Sequence, residues 1–101
     1  MKGAAPPFNM FTISAELTFF IPFSHSLKDK RQVCRSLIDK TRSRFNASVA
    51  EVDTQDILQT LTIGVAFVSG DASHRRRALD SIIRFMESNT EAELTRVEII
   101  E

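Results

Sequence analysis

From Phe11 to Ile21 the chain places an apolar side chain at every odd position, with Thr12, Ser14, Glu16 and Thr18 between them. A period of two fixes an extended backbone with one buried face, because a slip of one residue would turn the whole apolar set to water. Phe20 breaks the alternation, and Pro22, which cannot donate to a ladder, ends the strand. A sheet with one buried face needs a second layer to cover it. The same alternation returns at Leu61, Ile63, Val65 and Phe67, set against Thr60, Thr62, Gly64 and Ala66.

Between and after these strands the apolar period changes to that of a helix. Leu27, Cys34, Leu37, Ile38, Thr41 and Phe45 share one face at ~100° per residue, which predicts a helix over about Leu27 to Phe45. Asn46 follows as a left-handed C-cap. A short strand is expected near Ala47 to Val52, and Asp53-Thr54-Gln55-Asp56 is turn chemistry. After Ser69-Gly70-Asp71, with Asp71 as N-cap, a second helix runs to about Ser88 with Ala78, Leu79, Ile82, Phe85 and Met86 inward. A last strand, about Glu93 to Ile100, carries Val97 and Ile99 on one face. The order is β-α-β-β-α-β, the split β-α-β pattern of ferredoxin-like α+β folds: a four-stranded antiparallel sheet with two helices on one face. The first and third strands should be central, being the longest and most apolar. Residues 1–9 are small, Pro-containing and aperiodic, and read as a flexible N-terminal extension to a single domain over 10–101.

A chain of 101 residues suffices for one core without staples. One cysteine, Cys34, rules out an internal disulfide and suits a reducing, cytoplasmic setting. The N-terminus lacks the apolar core of a signal peptide, and the apolar runs are too short to span a membrane. Formal net charge is zero, yet the charges are sorted. Between positions 28 and 44 stand Lys28, Lys30, Arg31, Arg35, Lys40, Arg42 and Arg44 against Asp29 and Asp39, whereas Asn46 to Asp71 holds no Lys or Arg at all. Such sorting gives a neutral protein a basic surface.

The stretch His25-Ser26-Leu27-Lys28-Asp29-Lys30-Arg31 opens the first helix. Ser26 and Asp29 form an S-x-x-D capping box, and Lys28, Lys30 and Arg31 then crowd a turn that already carries the positive end of the helix dipole. Cations there suggest a site for an anion; the alternative is a solvated helix end. Lys28, Arg31, Arg35 and Arg42 fall on one stripe beside the apolar face, partly interrupted by Asp39. Arg75 and Arg76 begin the second helix, where Arg77 and Arg84 follow, diluted by Asp80 and Glu87. With both helices on one sheet face, His25, Ser26, Lys28, Lys30, Arg31, Arg35, Arg42, Arg75 and Arg76 become candidate nucleic-acid or anion contacts. His25 and His74 each sit near a helix start, and both starts are expected at the same end of the sheet.

The uncovered sheet face should carry Thr12, Ser14, Glu16, Thr18, Thr60, Thr62, Gly64 and Ala66. RNA-recognition domains of this topology stack bases on aromatics there, and the absence of such aromatics argues against that mode. A flat face of small and β-branched residues suits a homodimer instead; the alternative is a face simply exposed to solvent. Two histidines and one cysteine do not make a structural zinc site, and no metal or cofactor is expected. Cys34 lies in the apolar stripe as an inert thiol. The loop Pro22 to Ser26 has neither the glycine nor the arginine of an acylphosphatase phosphate cradle, and no nucleophile constellation or P-loop occurs, so no enzyme activity is expected.

Taken with Ser36-Leu37-Ile38, Arg44-Phe45-Asn46, Ser48-Val49-Ala50-Glu51-Val52, Gln55-Asp56 and Ile63-Gly64-Val65-Ala66, the capping stretch resembles the bacterial YlxP-like family over about Met10 to Glu101. The resemblance implies a ferredoxin-like fold. Members are often encoded beside translation-initiation and ribosome-maturation factors, which implies an accessory role near ribosomal RNA or the ribosome. The chain departs from the family in the segment before Met10, and at Leu58 and Thr60, where members often carry tryptophan and arginine.

Overall fold

From Ile13 onward the odd positions of the first strand are buried and its even positions face outward, as the alternation requires. The computed structural model describes residues 10–101, and the expectation for residues 1–9 lies outside them. Its elements are β1 (Phe11–Phe20), α1 (Leu27–Arg44), β2 (Ser48–Asp53), β3 (Thr60–Ser69), α2 (Ala72–Ser88) and β4 (Glu93–Ile100). The sheet has strand order β2-β3-β1-β4 with every neighbouring pair antiparallel, so β1 and β3 are central as expected and the fold is ferredoxin-like.

The core lies between the sheet and the helices. Ile13, Leu17, Phe19, Leu61, Ile63 and Val65 from the sheet meet Leu37, Leu79, Ile82 and Met86 from the helices, all nearly inaccessible to water. Each such side chain contributes on the order of 1.5–3 kcal/mol of burial free energy against the entropy of ordering the chain. α1 lies nearest β2, and α2 nearest β1 and β3.

Both edge strands are irregular. The β2–β3 register shifts between Glu51 and Asp53, and the β1–β4 register shifts opposite Thr18 and Phe19. The first irregularity turns Val52 over Gly64, where an added Cβ would lie 2.8 Å from Val52 Cγ1. The β2–β3 turn places Thr54 at φ 58°, an uncommon conformation for a β-branched residue. It is held there by its neighbours: the Thr54 N–H donates to Asp53 Oδ1 at 2.7 Å, and its hydroxyl lies 3.0 Å from Thr62 Oγ1. That contact buries Thr62 on the otherwise open sheet face.

Two expectations are corrected. α1 ends at Phe45 with extended backbone rather than at a left-handed Asn46, its cap N–H donating to Thr41 O. The helices also begin at opposite ends of the sheet, because each follows a central strand and those strands are antiparallel. His25 and His74 are therefore far apart and cannot share a ligand.

Candidate nucleic-acid interface

The start of α1 is built as its sequence indicates. The Asp29 N–H donates to Ser26 Oγ at 3.0 Å, and the Asp29 carboxylate accepts from the His25 N–H at 3.1 Å. One orphan donor of the helix end is thus satisfied, and the Asp29 carboxylate reaches past the cap to the N–H of the residue before it rather than to that of Ser26. Ser26 and the His25 backbone are consumed by the cap, which leaves the exposed His25 ring and the side chains beyond it to face solvent.

Lys30 does not belong with the exposed cations, contrary to the sequence reading. Its side chain is 1% exposed, and its ammonium lies 3.3 Å from Glu51 Oε2. It also donates to Ile57 O at 2.8 Å and to Thr54 O. Lys30 is therefore a clamp between α1 and the β2–β3 turn. The turn is held from its other side by the Gln59 amide, which donates to Pro22 O at 3.0 Å and Ser24 O at 3.3 Å. Cys34 lies one helical turn beyond Lys30 in the same buried face. Burial, reinforced by the Glu51 carboxylate, pushes its thiol up to about 11, which fits the inert role expected of it.

Arg75 and Arg76 are also withdrawn from the expected common surface. Arg75 donates to Thr12 O at 2.7 Å, covers the Phe11 ring and lies 3.7 Å from Glu101. Arg76 pairs with Asp80 and Glu101, each at 3.6 Å. Both tie α2 to the strand ends, at the opposite end of the sheet from Lys28 and Arg31.

What remains is α1. Lys28, Arg31, Arg35, Lys40, Arg42 and Arg44 are all exposed, and none forms an ion pair among the described residues. Lys28, Arg31, Arg35 and Arg42 lie within about 60° of arc along about 21 Å of helix. Val33, Ser36 and Lys40 on the other flank line a groove with Ser88 to Glu91 at the end of α2. The stripe therefore faces away from α2, on the side of edge strand β2. Asp39 is placed four residues after Arg35 and three before Arg42, yet pairs with neither. Arg44 is set apart, with its guanidinium 5.4 Å from the Phe85 ring centre and 5.8 Å from that of Phe45.

Among the described residues no group of three or more His, Cys, Asp or Glu side chains is arranged to hold a metal ion. No described helix is long and apolar enough to cross a membrane. On the uncovered sheet face, Phe20, Val52, Val68 and Ile100 are exposed, and its floor holds Ser14, Ser48, Ala50, Gly64 and Ala66 together with the exposed carboxylate of Glu16.

Comparison with known proteins gives a family and a relative. The family described as "Protein of unknown function (DUF503)" matches over residues 12–99. An uncharacterised protein of Bacillus subtilis (strain 168), YlxP, is 33% identical over 81 residues, covering 80% of this chain and 88% of the relative. Among solved structures, the de novo designed protein Ferredog-Diesel aligns at 14% identity over 94% of this chain and 91% of its own, with a TM-score of 0.43.

Proposed function

Because the chain belongs to the DUF503 family, whose function is unknown, we propose from its own surface that it is a non-enzymatic accessory protein that binds RNA through α1. The observation that carries this is the set of unpaired cations Lys28, Arg31, Arg35 and Arg42 on one flank of one helix. Lys28 and Arg31 oppose the helix dipole, and neighbours at i,i+3 and i,i+4 repel one another, so as structural devices they are poor. Phosphates reverse the sign of both penalties. The resemblance to proteins encoded beside ribosome-maturation factors directs the reading to ribosomal RNA or ribosomal particles.

Replacing Lys28, Arg31 and Arg35 together with Gln tests it. RNA affinity should fall, and the slope of log affinity against log salt should shrink by up to ~3 units, about one per lost phosphate contact. The melting temperature should hold or rise slightly. A triple variant that melts early and binds RNA as before would reverse the assignment.

A second reading rests on the uncovered face. Val52, Val68, Ile100 and Phe20 stand exposed there beside small residues, a surface suited to packing against the same face of a second copy.

A further inference from the structure

Resting on the RNA reading, we infer that the ligand of α1 is the backbone of double-helical RNA, held without reading its sequence. The stripe has a fixed spacing along the backbone of one helix. Its residues rise about 4.5, 6 and 10.5 Å from one to the next along a helix whose opposite face is locked into the core. Cations carried at fixed intervals on one rigid helix pair most economically with phosphates that are themselves held at fixed intervals, which a duplex provides. A single strand has to be ordered on binding, and proteins that bind single strands offset that cost by stacking bases on aromatic rings.

Among the described phenylalanines none is placed to do so, and the exposed His25 ring stands only at the start of α1. Phe45 and Phe85 pack edge to face at 5.4 Å between centres, with the Arg44 guanidinium beside both. Phe23 lines the groove on the other flank of α1, and Phe20 stands at the end of the uncovered sheet face. Phe19 is fully buried, Phe67 is packed against the core, and Phe11 lies beneath Arg75.

The form of duplex follows from how α1 is seated. Reading B-form DNA in its major groove needs a helix that can sink into a groove about 8.5 Å deep. α1 has its inner face on the sheet and one flank against the end of α2, so it offers a shallow surface. A-form RNA presents a wide, shallow minor groove bordered by phosphates, which such a surface can approach.

The test is fluorescence anisotropy of the full chain with a labelled RNA duplex of about 20 base pairs, a second duplex of shuffled sequence, and an oligouridylate with the same number of phosphates. The expected result is duplex binding at least fivefold tighter than the oligouridylate, with the two duplexes within twofold of each other. The duplex slope of log affinity against log salt should approach about −3.6 for four contacts. R31Q/R35Q should reduce that slope by about 1.8, while its circular dichroism spectrum and melting temperature match wild type. Equal or tighter binding of the oligouridylate, or a tenfold preference between the duplexes, overturns the duplex inference and leaves the RNA reading standing. Binding to none of the three RNAs overturns both.

Discussion

Replacing Lys30 with methionine should destabilise the protein by about 3 kcal/mol, by breaking a buried ion pair from one side. Methionine keeps the aliphatic length, so the variant isolates the ammonium. In the wild type that ammonium lies 3.3 Å from Glu51 Oε2 and donates to Ile57 O at 2.8 Å and to Thr54 O. Removing one partner of a buried pair costs about 3–5 kcal/mol, because the other is left uncompensated. The Lys30 side chain is 1% exposed but that of Glu51 is 22% exposed, so water can partly rescue the carboxylate and the lower end applies. For a domain of this size ~3 kcal/mol corresponds to a fall in Tm of about 12–24 °C. The chain has neither tryptophan nor tyrosine, so urea unfolding is best followed by far-UV circular dichroism. Glu51→Gln, which removes charge but keeps an acceptor, should cost less. In the double variant the two losses should fall short of additive by about 1–2 kcal/mol. A Lys30→Met protein within about 1 kcal/mol of wild type, or strict additivity, would refute the clamp.

Three further outcomes follow. Cys34, its thiol pushed up to about 11 by burial, should react with a thiol reagent at pH 8 at least ~100-fold more slowly in the native protein than in urea. Because the folded thiol holds its proton more tightly, its contribution to stability is full below the ordinary value of 9.0 and is lost as pH rises toward about 11; a melting temperature that rises with pH in that window would contradict this assignment. If the uncovered face forms a dimer, sedimentation of wild type at high concentration should show it, and Ala66→Lys, at an exposed position on that face, should abolish it; wild type that stays monomeric sinks the second reading.

The strands, their order and both N-caps were legible because each rests on local chemistry: strict alternation in β1 and β3, and Ser26 and Asp71 ahead of apolar periods. The burial of Lys30 was harder to read, since lysine is ordinarily exposed and its partners are a carboxylate and turn carbonyls more than twenty residues downstream. A signal was nevertheless present. Position 30 precedes Cys34 by four residues and Leu37 by seven, which places it on the apolar face. The fates of Arg75 and Arg76 were not legible, because their acceptors, Thr12 O and the Glu101 carboxylate, are brought to them by sheet register. The separation of His25 and His74 required one further step, from antiparallel central strands to helices that start at opposite ends.

The irregularities in β2 and β4 bear on how the molecule behaves when crowded. An open sheet has two margins, each a row of unpaired backbone donors and acceptors on which a foreign strand can grow into fibrous aggregate. Here the margin at β2 is interrupted at Val52, and that at β4 is interrupted near Thr95, whose hydroxyl donates to Thr18 O at 3.1 Å. Glu93, Arg96 and Glu98 add exposed charge along β4, and the unpaired cations of α1 stand on the β2 side. Two copies meeting margin to margin find a kinked ladder at either side, and at β2 they also bring like charges together. Lateral extension of the sheet is thereby discouraged, and the strands stay committed to their own four-stranded core.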